Sequence, residues 1–86
     1  MPTPKKLPKV IVRKLGKHKA DGLYFQDGEE IHIDKRLKGV RKLDVYIHEY
    51  LHHYFPDMDE DTVANCATDL AGFLWLVGVR FVDNGE

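Results

Sequence analysis

Two histidines four positions apart, with a glutamate directly after the first, stand near the middle of the chain as His48-Glu49-Tyr50-Leu51-His52. On a helix, residues four apart project from one face a turn apart, so both imidazoles can reach one ion at about 2.0–2.1 Å. Zinc held this way lowers the pKa of a water to about 7, which lets a neighbouring carboxylate take its proton at neutral pH. Glu49 occupies that general-base position and can return the proton to a departing amine. The chemistry to expect is zinc-dependent hydrolysis of a peptide bond, with Zn2+ as cofactor and a peptide or protein as substrate.

Catalytic zinc takes three protein ligands and keeps a fourth position open. Glu60 lies three and seven residues before Val63 and Ala67, in line with the apolar stripe of a second helix, so its side chain is expected to face the first helix. Asp59 is the nearest rival, with a shorter reach and a competing use as helix cap. Asp57, Asp61, Asp69 and His53 follow as further alternatives. His53 is rotated about 100° from His52, which points to an exposed ring, with an orienting role beside the metal as the other reading. A phenol near the metal, from Tyr24, Tyr46, Tyr50 or Tyr54, could stabilise an oxyanion, although core packing is the expectation for most of them. His18 and His32 have no spacing that ties them to the site. The plain alternative is that His48 and His52 are polar residues flanking a buried stripe.

These side chains need elements to hold them. Val10-Ile11-Val12 is a β-branched run, Gly22 to Gln26 a second strand candidate, and Asp27-Gly28 a turn signal into Glu29 to Asp34, where Ile31 and Ile33 alternate with His32 and Asp34. The three predict an antiparallel meander. From Val40 the period changes, and Val40, Leu43, Ile47, Leu51 and Tyr54 mark one helical stripe that Pro56 stops. Asp57 or Asp59 can cap a second helix with the stripe Val63, Cys66, Ala67, Leu70, Leu74 and Val77, ended by Gly78. Val79 to Val82 fits either a short strand or a packed tail. The expected fold is α+β: a small antiparallel sheet packed on the HExxH helix and a second helix, as one domain over residues 9–86 behind a proline-rich lead, residues 1–8.

Composition narrows the setting. Eighty-six residues allow one core, and a metal that binds only the folded state would add to its stability. Thirteen basic against fourteen acidic side chains give no broad signal for nucleic acid or membrane binding, although Lys5, Lys6, Lys9, Arg13, Lys14, Lys17 and Lys19 load the start of the chain. Cys66 is the only cysteine, which excludes an internal disulfide and a thiolate zinc cage. Without an apolar leader or a membrane-length segment, a cytoplasmic location is expected. The oligomeric state is not encoded in any pattern seen.

Ile47-His48-Glu49-Tyr50-Leu51-His52-His53, followed by Glu60-Asp61-Thr62-Val63-Ala64-Asn65-Cys66-Ala67 and Leu70-Ala71, resembles compact gluzincin-like metallopeptidases. The ImmA/IrrE-like and SprT-like families and small phage-type minimal zincins are the nearest. The resemblance spans residues 30–74 and implies a minimal zincin-like hydrolase with Glu60 opening an E-x-x-A segment, Val63 in the alanine place. It also implies that Glu29 to Asp34 lies beside the site, where an extended substrate could pair with it. Members are usually longer, with a further N-terminal helix and often an attached DNA-binding domain, patterns not seen in these 86 residues. A rival reading keeps the fold and the zinc but not the turnover: a non-catalytic protein-interaction module.

Overall fold

A computed structural model describes residues 6–16 and 20–82. Residues 1–5 of the proline-rich lead, Lys17, His18 and Lys19, and residues 83–86 lie outside the described part. Strands β1 (Lys9–Arg13), β2 (Gly22–Phe25) and β3 (Glu30–Asp34) precede helices α1 (Gly39–Tyr54) and α2 (Glu60–Leu76). The α+β class and the two helices agree with the sequence reading, but the sheet is not an antiparallel meander. Its order is β1-β3-β2, with β1 parallel and β2 antiparallel to β3.

The hairpin between β2 and β3 fixes those two as antiparallel neighbours, turning through Gln26 to Glu29 with the Glu29 amide donating to the Gln26 carbonyl. Glu29, rather than Gly28, takes the left-handed backbone, at φ 50°. β1 then pairs with the other edge of β3, the strand whose Ile31 and Ile33 are buried, and so encloses the most apolar strand between two neighbours. Asp34 anchors this crossover. Its Oδ2 accepts from the Leu15 amide at 3.2 Å and its own amide donates to the Asp21 carbonyl at 2.9 Å, so both ends of the β1–β2 connection meet at one residue. The Arg36 guanidinium and amide complete the carboxylate's bonding at 2.8–3.0 Å.

α1 lies between the sheet and α2 and contributes to two cores. Val45 joins Ile31 and Ile33, with Tyr24, Leu37, Tyr46 and Tyr50 around them; Leu51 joins Val63 and Ala67, with Ile47 and Met58. The expected stripe through Ile47 and Leu51 is therefore the α2-facing side, and its ends, Val40 and Tyr54, are exposed. The face toward the sheet runs Val45, Glu49, His53 at four-residue steps, buried although two of its three members are polar. His53 is 1 % exposed, which corrects the expectation of an exposed ring.

Helix α2 begins at Asp59, whose carboxylate accepts from the Thr62 amide and hydroxyl at 3.0 and 2.6 Å. Its buried line is Val63, Ala67 and Ala71, small residues that let it lie close to α1, so Cys66, Leu70 and Val77 of the expected wider stripe are exposed. Gly78 ends it at φ 104°, with the Gly78 and Val79 amides donating back to the Trp75 and Leu74 carbonyls. Val79 to Val82 form no strand and follow the helix as a largely exposed tail whose Phe81 ring meets Tyr46. Among the described residues, no helix is long and apolar enough to cross a membrane.

The Arg36 guanidinium and amide hold the Asp34 carboxyl well below the usual carboxylate range. A carboxyl whose folded pKa is depressed stabilises the fold fully above its unfolded value, about 3.9, and loses that contribution as pH falls toward the lower folded value. Asp34→Asn should therefore be less stable than the parent at pH 7 in urea titrations, with the gap narrowing as pH drops below about 4.

Candidate functional site

The helix that Val45, Ile47 and Leu51 anchor on two sides presents His48 and His52 along the seam between its two cores, both only partly buried. Their rings lie 4.9 Å apart at 65°, one turn from each other. Glu60, the first residue of α2, reaches across: Oε1 lies 2.8 Å from His48 Nε2 and Oε2 lies 2.9 Å from His52 Nε2. One ligand atom from each of the three falls within 4.8 Å of the others, so the group can hold a metal ion. The sequence-predicted trio thus converges. A carboxylate bridging two imidazole nitrogens is also the arrangement a cation would find with its donors already facing one point.

The other acids do not compete for this point. Asp59 spends its carboxylate on the Thr62 cap, and those hydrogen bonds hold its carboxyl below the ordinary range. Asp57, Asp61 and Asp69 are exposed, and no metal-ligating group among the described residues includes them. His53 leaves by the opposite side of α1. Its Nε2 lies 2.8 Å from the Lys6 carbonyl, which only accepts, so Nε2 carries a proton. In the neutral ring Nδ1 then accepts from the Tyr24 hydroxyl at 3.0 Å. His53 thus ties the end of the proline-rich lead, β2 and α1 together.

Glu49 is buried under β2, 7 % exposed. Burial pushes its carboxyl above the ordinary range, His48 pulls it partly back, and Glu60 adds to the rise. What admits it there is Gly22, a residue the sequence reading used only to open a strand. A Cβ at Gly22 would lie 2.6 Å from Val45 Cγ1 and 3.0 Å from both Cγ and Oε2 of Glu49. The missing side chain lets α1 approach the strand closely enough to cover the carboxylate. A glycine at the start of a strand, with no turn to explain it, was the available signal.

Two hollows share Gly22, His48 and Glu49 as walls. One, about 450 Å³, adds Leu23, Tyr24, Gln26, His52, Pro56 and Glu60; the other, about 390 Å³, adds Asp21, Arg41, Asp44, Val45, Ala64 and Thr68. Together they form a cleft along β2 and α1 with the His48–Glu49 pair at its middle. Tyr24 is the phenol nearest this cleft, while Tyr46 and Tyr50 pack on the core and Tyr54 is exposed. The strand beside the site is β2, at the edge of the sheet. β3, which the resemblance placed there, is the middle strand with both edges paired and has none free for a substrate. His32, as expected, is remote from the site: on the far face of the sheet it accepts from Arg13 Nε at 2.8 Å and faces Glu30 at 3.0 Å.

Comparison with family models, with curated proteins and with solved structures finds no match to the chain.

Two substitutions separate the roles assigned above. Asp59→Ala should lower stability through the lost cap and leave the uptake of any divalent metal ion unchanged, whereas Glu60→Ala should weaken that uptake at least about tenfold, both read by calorimetry. Gly22→Ala should destabilise by about 1–3 kcal/mol in urea titration, because Val45 and Glu49 must move, while the neighbouring Leu23→Ala should not disturb Glu49.

Proposed function

We propose that the protein is a minimal zinc-dependent metallopeptidase that hydrolyses a peptide bond in the cleft between β2 and α1. The observation that carries this reading is the convergence of His48, His52 and Glu60 within 4.8 Å, with Glu49 buried beside them. Two imidazoles and a carboxylate form the donor set of a catalytic zinc site, three protein ligands that leave a position for chemistry. When bound, zinc supplies a Lewis acid that polarises the substrate carbonyl and eases deprotonation of a water.

The chain's own residues supply the rest. Glu49 takes a proton from the attacking water and gives it to the leaving amine. A carboxyl raised by burial suits that exchange better than an ordinary one, since a base works best with a pKa nearer the operating pH. Gly22 keeps Glu49 in place, and the roof that β2 and Val45 form over it keeps bulk water off one side. Among the described residues the outer edge of β2 is unpaired, and it offers backbone donors and acceptors that can orient an extended peptide along the cleft. Tyr24 forms a wall of the cleft, its hydroxyl committed to His53.

Glu49→Gln spares all three donors and removes only the proton acceptor. Assayed against a mixed peptide library, it should retain equimolar zinc and lose about 10²–10⁴-fold in turnover, and a chelator should abolish parent activity until zinc is restored. Full activity in Glu49→Gln would refute the mechanism, and zinc bound without any cleavage by the parent would return the site to a non-catalytic binding module.

A further inference from the structure

The densest basic run of the chain, Lys35-Arg36-Leu37-Lys38-Gly39-Val40-Arg41-Lys42, opens α1 at the end away from the metal group. Its two arginines have acidic partners: Arg36 pairs with Asp34 and Arg41 with Asp21. Its three lysines have none within ion-pair distance among the described residues. They gather instead around a hollow of about 340 Å³ lined by Lys35, Leu37, Lys38, Gly39, Lys42, Trp75, Arg80 and Phe81, with no acid in its walls.

Two of the four cations, Arg80 and Lys42, are held rather than left to swing. Arg80 stacks its guanidinium 3.8 Å from the centre of the Trp75 ring and donates through Nη1 to the Trp75 and Val79 carbonyls at 2.7 and 2.8 Å. Lys42 sits 4.4 Å above Phe81. Cation–π contacts of this kind fix a charge without neutralising it. Four cations around one hollow repel one another, and the start of α1 adds to the positive potential: Lys38 stands at its N-cap without a side-chain cap, and its first turn carries no acid. An anion entering the hollow would relieve that repulsion and meet hydrogen-bond donors on several sides.

We propose that this hollow binds a small phosphate-bearing ligand, at a site separate from the metal group and independent of the peptidase reading. Four cationic donors around one cavity favour a multivalent oxyanion over a singly charged carboxylate, and the volume admits a phosphate with an organic substituent. A long polyanion fits less well, because the chain as a whole carries a net charge of −1.

Trp75 is the only tryptophan, so intrinsic fluorescence reports on this hollow. It lies fifteen residues along α2 from Glu60, about 22 Å at 1.5 Å per residue, which separates its signal from the metal group. The full chain is titrated at constant ionic strength with inorganic phosphate, adenosine monophosphate and single-stranded oligonucleotides of increasing length, with sodium chloride as control. The amide shifts of Gly39 and Val40 provide a second readout. Saturable binding of phosphate or the monophosphate, weakened at least about tenfold by Lys38→Glu, is the expected result. Monophosphate binding tighter than inorganic phosphate would show that the organic part is recognised, and equal affinity would show that the phosphate alone is. No saturable change in either readout, equal binding by Lys38→Glu, or affinity that rises steadily with oligonucleotide length would overturn the proposal.

Discussion

The close approach of α1 to β2 at Gly22 is the contact on which the rest of the molecule turns. Any larger residue there would meet Val45 and Glu49 at once, so the distance between helix and strand is set by a missing side chain. With that distance fixed, Val45 reaches Ile31 and Ile33, Glu49 is covered, and His48 and His52 are turned toward the seam from which Glu60 arrives. The same contact therefore serves the core and the site. A small domain with a limited core gains from this economy, because few residues are available to do each task separately.

Helix α1 has to satisfy two neighbours while carrying a polar motif, and its sheet-facing side shows how. Polar groups are tolerated under a sheet when each finds a partner, and no buried side-chain nitrogen or oxygen among the described residues lacks one. His53 exemplifies this: its two nitrogens meet the Lys6 carbonyl and the Tyr24 hydroxyl, so the ring acts as a clip between chain segments far apart in sequence. Asp34 has the same role at the other end of β3, holding the crossover that makes the sheet mixed. Directional bonds of this sort specify one topology where apolar contacts alone would accept several.

The two ends of α2 are chemically opposite. Its start offers Asp59, Glu60 and Asp61, and Glu60 faces two imidazoles; its end brings Trp75 and the following Arg80 to the lysines at and before the start of α1. The antiparallel helix pair thus separates a cation-seeking cluster from an anion-seeking one along its length. A nearly neutral net charge conceals this separation, because the sum over the chain carries no information about where the charges lie.

Local periodicity and spacing determined much of this protein on their own. The i, i+4 histidines, the change of period at both helices, an acidic cap at Asp57 or Asp59, Pro56 and Gly78 are features of short-range geometry, and they place the elements and the two histidines without reference to distant residues, whereas which acid joins the histidines, Glu60 or one of its rivals, is decided by how α2 meets α1. Only the tertiary structure decided the rest. The parallel pairing of β1 with β3 depends on Asp34 meeting Leu15 and Asp21 across the crossover, and the edge position of β2 follows from it. The burial of Glu49 and His53 escaped apolar periodicity because both are polar, and what covers them lies twenty-seven or more residues away, at Gly22, Tyr24 and Lys6. Spacing along one helix records which side chains share a face; which partner that face will meet is a property of segments brought together only by folding.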